Sequence, residues 1–320
     1  MEDDQARRSY RQIVSDAAHA AAPIRVTDDC SAADIVIVPA DIATFGLQFQ
    51  VLRRSALFRS VRTKAVVYSF EDLRTLPLPG VYAACARFWS AAGWALPAHY
   101  RSDHLPRWQF SPGELSAERD LLFSFVGEYR THPVRGQVGA LRHPRSSVLD
   151  SSPGTRRWWD QSWEAQVPYK ERFREYLCRS KFVLCPRGVV PNSIRIYEAM
   201  EAGAVPVLIS DGIVLPRGPR WEEFSVRIRE RDVASIPEVL ESLEPRAAEM
   251  GAIARREWEE HFSPTTSFRS LATWAATILK NLQTKSMTLP WLWAQVGCRL
   301  SPHAVRRNFR DFRAALARRD

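Results

Sequence analysis

The sequence predicts an α/β protein made of two Rossmann-like halves that face each other across a cleft, followed by a C-terminal helical tail. Buried strands rich in β-branched residues alternate with helical stretches, which is the pattern of parallel sheets covered by helices. Ser and Pro become frequent at 143–168, where this pattern stops before it restarts. The 320 residues also suffice for two domains of ordinary size. We therefore expect an N-terminal domain at 1–160, a C-terminal domain at 161–280 and a basic tail at 281–320.

The first half is expected to begin with a helix in the first 20 residues and to contain a helix at 48–58. Continuous apolar runs predict three buried strands, and a short run predicts a fourth. These strands lie at 34–39, 64–70, 121–126 and 24–26. The second strand ends in the acidic residues Glu71 and Asp72, and the third ends close to Glu128.

The second half repeats the pattern more clearly. A helix at 169–180 leads into a strand at 182–185 and a loop at 186–191. Asn192 or Ser193 can cap the next helix, which Gly203 ends. The following elements are a strand at 205–209, another strand–helix unit from 221 and a helix from 236.

Charge and cysteine content exclude several classes of protein. The net charge is +9, from 45 basic and 36 acidic residues, but residues 281–320 alone hold eight basic and two acidic ones. Only +3 remains elsewhere, which argues against a general nucleic-acid surface. The five cysteines form no C-x-x-C pair, so neither a disulfide framework nor a zinc knuckle is expected. The acidic start at 1–4 does not resemble a signal peptide, and we expect a cytoplasmic protein.

The stretch around the 182–185 strand carries the chemistry. The strand delivers Arg187 to the carboxyl edge of a sheet, where ligands bind in open α/β folds. The next helix begins at Asn192 or Ser193, and the start of a helix attracts phosphate. Arg195 and Glu198 lie one turn apart on the same face. This combination suits a nucleotide diphosphate, with the carboxylate on the ribose. The alternative is an exposed i,i+3 ion pair, which would contribute about 0.3 kcal/mol.

Two motifs in this region resemble the exostosin family of glycosyltransferases, family 47. They are S-K-F-x-L-C-P-R-G from Ser180 and S-x-R-x-x-E-A-M-x-A-G-x-x-P-V from Ser193, and the match continues to Glu230 and Asp232. Weaker matches lie at 33–39 and 123–135. The resemblance covers about 65 residues strongly.

The resemblance implies a GT-B fold and an inverting transfer of a sugar, with UDP as the expected carrier, to a glycan or lipid-linked acceptor. It implies that Arg187 and Arg195 hold the diphosphate, that Glu198 holds the ribose and that Asn192 and Ser193 bind from the helix start. No Asp-x-Asp motif occurs, so no metal or other cofactor is expected. Because the chain is short for the family and shows no N-terminal anchor, we expect a stand-alone, bacterial-type enzyme.

An inverting transfer also needs a general base, which we expect from the first domain. Asp72 is the first candidate, because the resemblance places an acidic residue after a comparable strand. Glu71 and Glu128 follow. Each could instead be a helix cap or a solvated loop acid.

The tail at 289–320 leaves two interpretations open. It predicts a helix with one apolar stripe surrounded by arginines. That helix would either lie on an anionic membrane, at its inner face, or pack on the protein. A different overall function is also open, namely a catalytically silent protein that binds nucleotides or glycans on the same scaffold.

Overall fold

A computed structural model describes four continuous segments of the chain and several shorter pieces. The described residues are Ala17, 24–39, 55–69, 72, 76, 78–85, 87, 90, 93, 95–100, 110–151 and 163–284. The helix expected in the first 20 residues, Glu71 and nearly all of the predicted tail lie outside them.

The first sheet has four parallel strands in the order β1-β2-β3-β4. They are β1 (Val36–Pro39), β2 (Ala65–Ser69), β3 (Gly80–Tyr82) and β4 (Ala95–Pro97). The strands predicted at 34–39 and 64–70 are confirmed, whereas 24–26 is not a strand. Gly80 allows β3 to approach β2, because a Cβ there would lie 2.4 Å from the carbonyl oxygen of Val67.

The second sheet has five parallel strands in the order β6-β5-β7-β8-β9. They are β5 (Leu121–Gly127), β6 (Ser146–Asp150), β7 (Ser180–Pro186), β8 (Val205–Ile209) and β9 (Val226–Ile228). The strand predicted at 121–126 exists, but its assignment to the first half is wrong, since Phe123 is in register with Phe182 of β7. The chain changes sheet between Pro97 and Leu121, and the division at 160 stays a prediction.

Helices connect and cover the strands. The α-helices of the described residues are α1 (Ala56–Val61), α2 (Pro112–Ser116), α3 (Pro133–Gly139), α4 (Trp163–Arg179), α5 (Arg195–Glu201), α6 (Trp221–Phe224), α7 (Ile236–Leu243), α8 (Ala247–His261) and α9 (Ser267–Thr284). Three 3₁₀ turns lie at Tyr129–Thr131, Glu230–Ser235 and Glu244–Arg246. None of these helices is long and apolar enough to cross a bilayer.

Two close contacts fix the helices on the second sheet. Gly203 ends α5 with φ of 68°, a conformation that favours glycine. A Cβ on Gly251 of α8 would lie 2.3 Å from the carbonyl oxygen of Gly203, so α8 can approach this turn only because Gly251 has no side chain.

An ion cluster ties the amino ends of β6 and β7 to the turn after α7. Glu244 accepts hydrogen bonds from Arg145 and Lys181. The bond from Arg145, followed by that from Lys181, lowers the pKa of Glu244 to about 2.

The two sheets share a hydrophobic core. One cluster of buried side chains contains Tyr68 and Leu96 of the first sheet together with Ile196 and Met200 of α5. The last described helix, α9, returns to the first half, where the Asn281 amide donates to the carbonyl of Gly93 over 2.6 Å. The α/β class with parallel sheets is therefore confirmed, and the cleft between two domains stays a prediction.

Candidate functional site

The carboxyl edge of the second sheet gathers several of the predicted residues. β5 is followed by Glu128, β7 by Arg187 and β8 by Ser210. Because these strands are parallel neighbours, their carboxyl ends meet at one edge, the usual ligand position in open α/β sheets.

Arg195 and Glu198 form a buried ion pair on α5. Their side chains are only 12% and 1% exposed. The Arg195 Nε donates to the carbonyl of Val126 over 3.0 Å, and its guanidinium lies 4.0 Å from the ring centre of Phe173. The pair is therefore not the exposed i,i+3 pair of the alternative interpretation. It fixes a positive charge directly behind the end of β5.

The start of α5 differs from the predicted one. The helix begins at Arg195 and has no side-chain cap, and the amides of Ile196, Tyr197 and Glu198 already donate to carbonyls of the preceding turn. Few backbone N–H groups are left there for a phosphate, and the arginines must supply most of the positive charge.

Asn192 and Ser193 have different surroundings from those expected of a helix cap. The Asn192 amide donates to the carbonyl of Ala83 over 2.7 Å and so links the second sheet to the first. Among the described residues, the buried hydroxyl of Ser193 has no hydrogen-bond partner. Ser193 therefore retains a group that could bind a ligand, whereas Asn192 serves the packing of the two halves.

Arg187 lies at the outer side of the edge. Its Nη1 is 3.7 Å from the Glu230 carboxylate, and both side chains are 22% exposed. Glu230 in turn accepts a hydrogen bond from the backbone N–H of Asp211 over 3.1 Å. Arg187 thus keeps exposed N–H donors while a loose ion pair limits its orientation.

The sequence analysis did not select Arg135, which lies in the first turn of α3. Its guanidinium donates to the carbonyls of Arg187 over 2.9 Å, Glu128 over 3.2 Å and Pro186 over 3.3 Å. It therefore joins the ends of β5 and β7. Burial, and then the charge of Arg195, lower the pKa of Arg135 to about 10. Its position in the first turn of a helix that follows a buried strand is the signal that could have identified it.

Asp72, the preferred candidate base, lies beyond β2 of the first sheet. It is exposed, and its Oδ1 accepts a hydrogen bond from the buried hydroxyl of Tyr100. Burial and then the Asp72 charge raise the pKa of Tyr100, and Asp72 is also within electrostatic range of Arg135. The two sheets thus bring a carboxylate near the arginines.

Glu128 follows a strand of the second sheet, so it does not come from the first domain as expected. Its carboxylate lies 3.4 Å from Nε of Arg130. Glu71 lies outside the described residues. Within the described part of the chain, no three His, Cys, Asp or Glu side chains are grouped so that they could hold a metal ion. The metal independence of the chemistry stays a prediction.

A small cavity of about 40 Å³ lies between the two sheets next to this cluster. Its lining includes His99 and Tyr100 after β4, and Glu198 and Glu201 of α5. The space is large enough for a few water molecules but not for a sugar. Glu198 therefore faces the junction of the halves, and its access to a ribose would require movement of the pair.

The model of the Exostosin GT47 domain matches residues 84–243, which is half of the chain. The chain belongs to this family. The matched segment contains Arg135, Arg187, Arg195 and Glu198, and it covers the second sheet through β9.

Several curated plant proteins are similar to this GT47 chain. The chain is 36% identical over 134 residues to "Probable glucuronoxylan glucuronosyltransferase IRX7" of Arabidopsis thaliana, covering 40% of this chain and 28% of that protein. It is 32% identical over 155 residues to another "Probable glucuronoxylan glucuronosyltransferase" of the same plant, covering 46% and 31%. It is 41% identical over 83 residues to "Probable beta-1,4-xylosyltransferase IRX10", also of Arabidopsis thaliana, covering 25% and 20%.

The matched segments thus span less than a third of these relatives. The expectation of a bacterial-type enzyme is wrong, because the named relatives are plant proteins from Arabidopsis and rice.

Proposed function

We propose that this chain transfers a sugar from a nucleotide diphosphate, with UDP as the carrier, to a hydroxyl of a glycan or lipid-linked acceptor in polysaccharide synthesis. The main support is the meeting of Arg135, Arg187 and Arg195 at one sheet edge, with Asp72 of the other sheet within electrostatic range of Arg135. The names of the relatives support a glucuronosyl or xylosyl group as the transferred sugar.

In the proposed step the configuration at the anomeric carbon is inverted. Asp72 takes the proton of the acceptor hydroxyl while its oxygen forms a bond to the anomeric carbon. The bond from that carbon to the diphosphate oxygen breaks, and its electron pair leaves with UDP. The Tyr100 hydroxyl occupies Oδ1 of Asp72, which leaves Oδ2 for the acceptor proton. Glu128 is the weaker candidate, because its carboxylate already faces Arg130.

The arginines would stabilise the charge on the departing diphosphate. Arg135 has five N–H donors and uses three of them on backbone carbonyls, so two remain. Its backbone bonds hold it in place before any ligand arrives, and preorganised donors of this kind stabilise developing negative charge effectively. We propose that this arrangement makes the transfer independent of a metal ion.

A pair of lysine substitutions separates ligand binding from structural support. Arg135 joins strand ends at the carboxyl edge, and Arg119 does the same at the opposite edge, where it donates to the carbonyls of Leu177, Ser180 and Ala202. Both R135K and R119K lose backbone bonds. Only R135K should weaken UDP binding in calorimetry, by at least about tenfold, since it also loses two charge-assisted bonds. Equal UDP affinity in both variants would contradict the proposed donor site.

The reaction itself is tested by following the release of UDP from UDP-glucuronate and UDP-xylose with a xylan oligosaccharide as acceptor. Product formation that persists in EDTA, with inverted configuration at the new linkage, is the expected result. Binding of UDP without any turnover would support the silent scaffold instead. Activity lost in EDTA and restored by a divalent metal would refute metal independence.

A further inference from the structure

An open groove lies beside the proposed donor site, at the next strand ends of the same sheet edge. Ser210 and Asp211 follow β8, and Arg229 and Arg231 follow β9, and all four line it. The groove has a volume of about 560 Å³ and adjoins a second open space of about 600 Å³ along Arg227 to Ser235. Spaces of this size accommodate ligands rather than single ions.

Arginines dominate the lining of this groove. Arg227, Arg229 and Arg231 follow one another at every second residue of the edge strand β9 and its extension, and Arg87 faces them from the first half of the chain. All four are exposed. We call this set the arginine groove.

Little of this positive charge is neutralised. Arg231 lies 3.6 Å from Asp232, but Arg87, Arg227 and Arg229 form no ion pair within the described residues. Asp211, the other acidic residue of the lining, is engaged with the backbone N–H of Glu230. The buried hydroxyl of Ser210 also has no partner among the described residues.

Charged residues on an edge strand can simply prevent pairing with other chains. That role would explain Arg227 alone. It does not explain why Arg87, from a different sheet region, faces the same space, since convergence of like charges is unfavourable without a counter-charge. The groove is therefore better explained as a site for an anionic ligand.

The geometry points to a glycan chain that carries uronic acid carboxylates as the occupant, and we propose that it is the acceptor. This names the substrate class of the proposed transfer and rests on that proposal. A single carboxylate or phosphate would not use guanidiniums spread over two adjoining spaces. No aromatic side chain is among the described lining residues, so the groove lacks the stacking surface that single-stranded nucleic acid needs. Contact between Arg187 and Glu230 places this chain next to the donor arginines.

Binding of a uronic acid hexamer, measured by calorimetry without any donor, tests the proposal. The matched ligand is the methyl ester of the same hexamer, which keeps the shape and loses the charge. The matched proteins are R227Q/R229Q in the groove and R246Q/R256Q, which removes two exposed arginines outside the groove lining. We expect the acidic hexamer to bind and its affinity to fall about five- to twentyfold in R227Q/R229Q only.

Three results would overturn the proposal. They are equal affinity for the hexamer and its ester, equal losses in both double variants, or a loss of UDP or UDP-glucuronate affinity in R227Q/R229Q while hexamer binding persists. The last result would assign the groove to the donor. Because no turnover is measured, hexamer binding that depends on the groove together with absent transfer would refute the proposed function alone.

Discussion

Replacement of Glu198 by glutamine removes the charge that faces Arg195 and keeps the side-chain size. Both side chains are largely buried, at 1% and 12% exposure. Removal of one partner of a buried pair costs about 3–5 kcal/mol, because the other charge stays buried without compensation. Arg195 retains the Val126 carbonyl and the Phe173 ring, so we expect the lower end of this range, about 3 kcal/mol.

Equilibrium unfolding in urea measures this loss directly. The free energy of unfolding should fall by about 3 kcal/mol with an unchanged dependence on urea. The melting temperature should fall by about 6–12 °C for a protein of this size. The control is E175Q, which removes a partner of the exposed i,i+4 pair Glu175–Arg179, where the side chains are 57% and 42% exposed. It should cost at most about 0.5 kcal/mol.

An E198Q protein as stable as the E175Q control would refute this reasoning. If such a protein also failed to bind UDP, Glu198 would contact the ligand directly and not act through Arg195. The double variant R195M/E198L, which replaces the pair by apolar groups, should be more stable than E198Q, because no unpaired charge remains.

Three further predictions test the base, the ion cluster and the glycine contact. D72N should reduce the transfer rate about 10²- to 10⁴-fold with unchanged UDP affinity in calorimetry, and an undiminished rate would exclude Asp72 as base. E244Q should lower the free energy of unfolding by about 1 kcal/mol at pH 7. Because the folded pKa of Glu244 is depressed to about 2, this difference between wild type and variant should vanish as the pH falls from about 5 to about 2, and a constant difference would contradict the assignment. G251A should destabilise the protein in urea by about 2–3 kcal/mol, since its Cβ would meet the carbonyl of Gly203, whereas G136A, with open space around it, should stabilise α3 by about 0.5–1 kcal/mol.

Hydrophobic pattern predicted the strands that are continuous and buried, and missed those that are short or polar. β2, β5, β7 and β8 are apolar runs of five to seven residues. β3 and β4 have three residues each, and β6 has the half-exposed sequence Ser-Ser-Val-Leu-Asp, which looks like a loop. Pairing was equally hidden. β5 lies next to β7, which begins 53 residues after the end of β5, and nothing in the local sequence indicates this neighbour.

The candidate site shows the same limit. Arg187, Arg195 and Glu198 share one motif, so the sequence could place them together. Arg135 lies 52 residues before Arg187, and only the adjacency of β5 and β7 brings its guanidinium to the Arg187 carbonyl. Its sequence context is nevertheless the same as that of Arg195, an arginine in the first turn of the helix after a buried strand. A search for that repeated arrangement would have found it.

The origin of the positive charge at this edge changes what conservative substitutions should do. Because the first turn of α5 uses its own N–H groups, the helix end contributes little, and the charge comes from guanidiniums held by backbone carbonyls. A lysine at these positions would keep the charge but lose the planar set of donors that fixes its orientation. Orientation matters because a side chain that is already immobile loses no conformational freedom when the diphosphate binds. Fixed geometry, more than net charge, is therefore what we expect this edge of the sheet to contribute to donor binding.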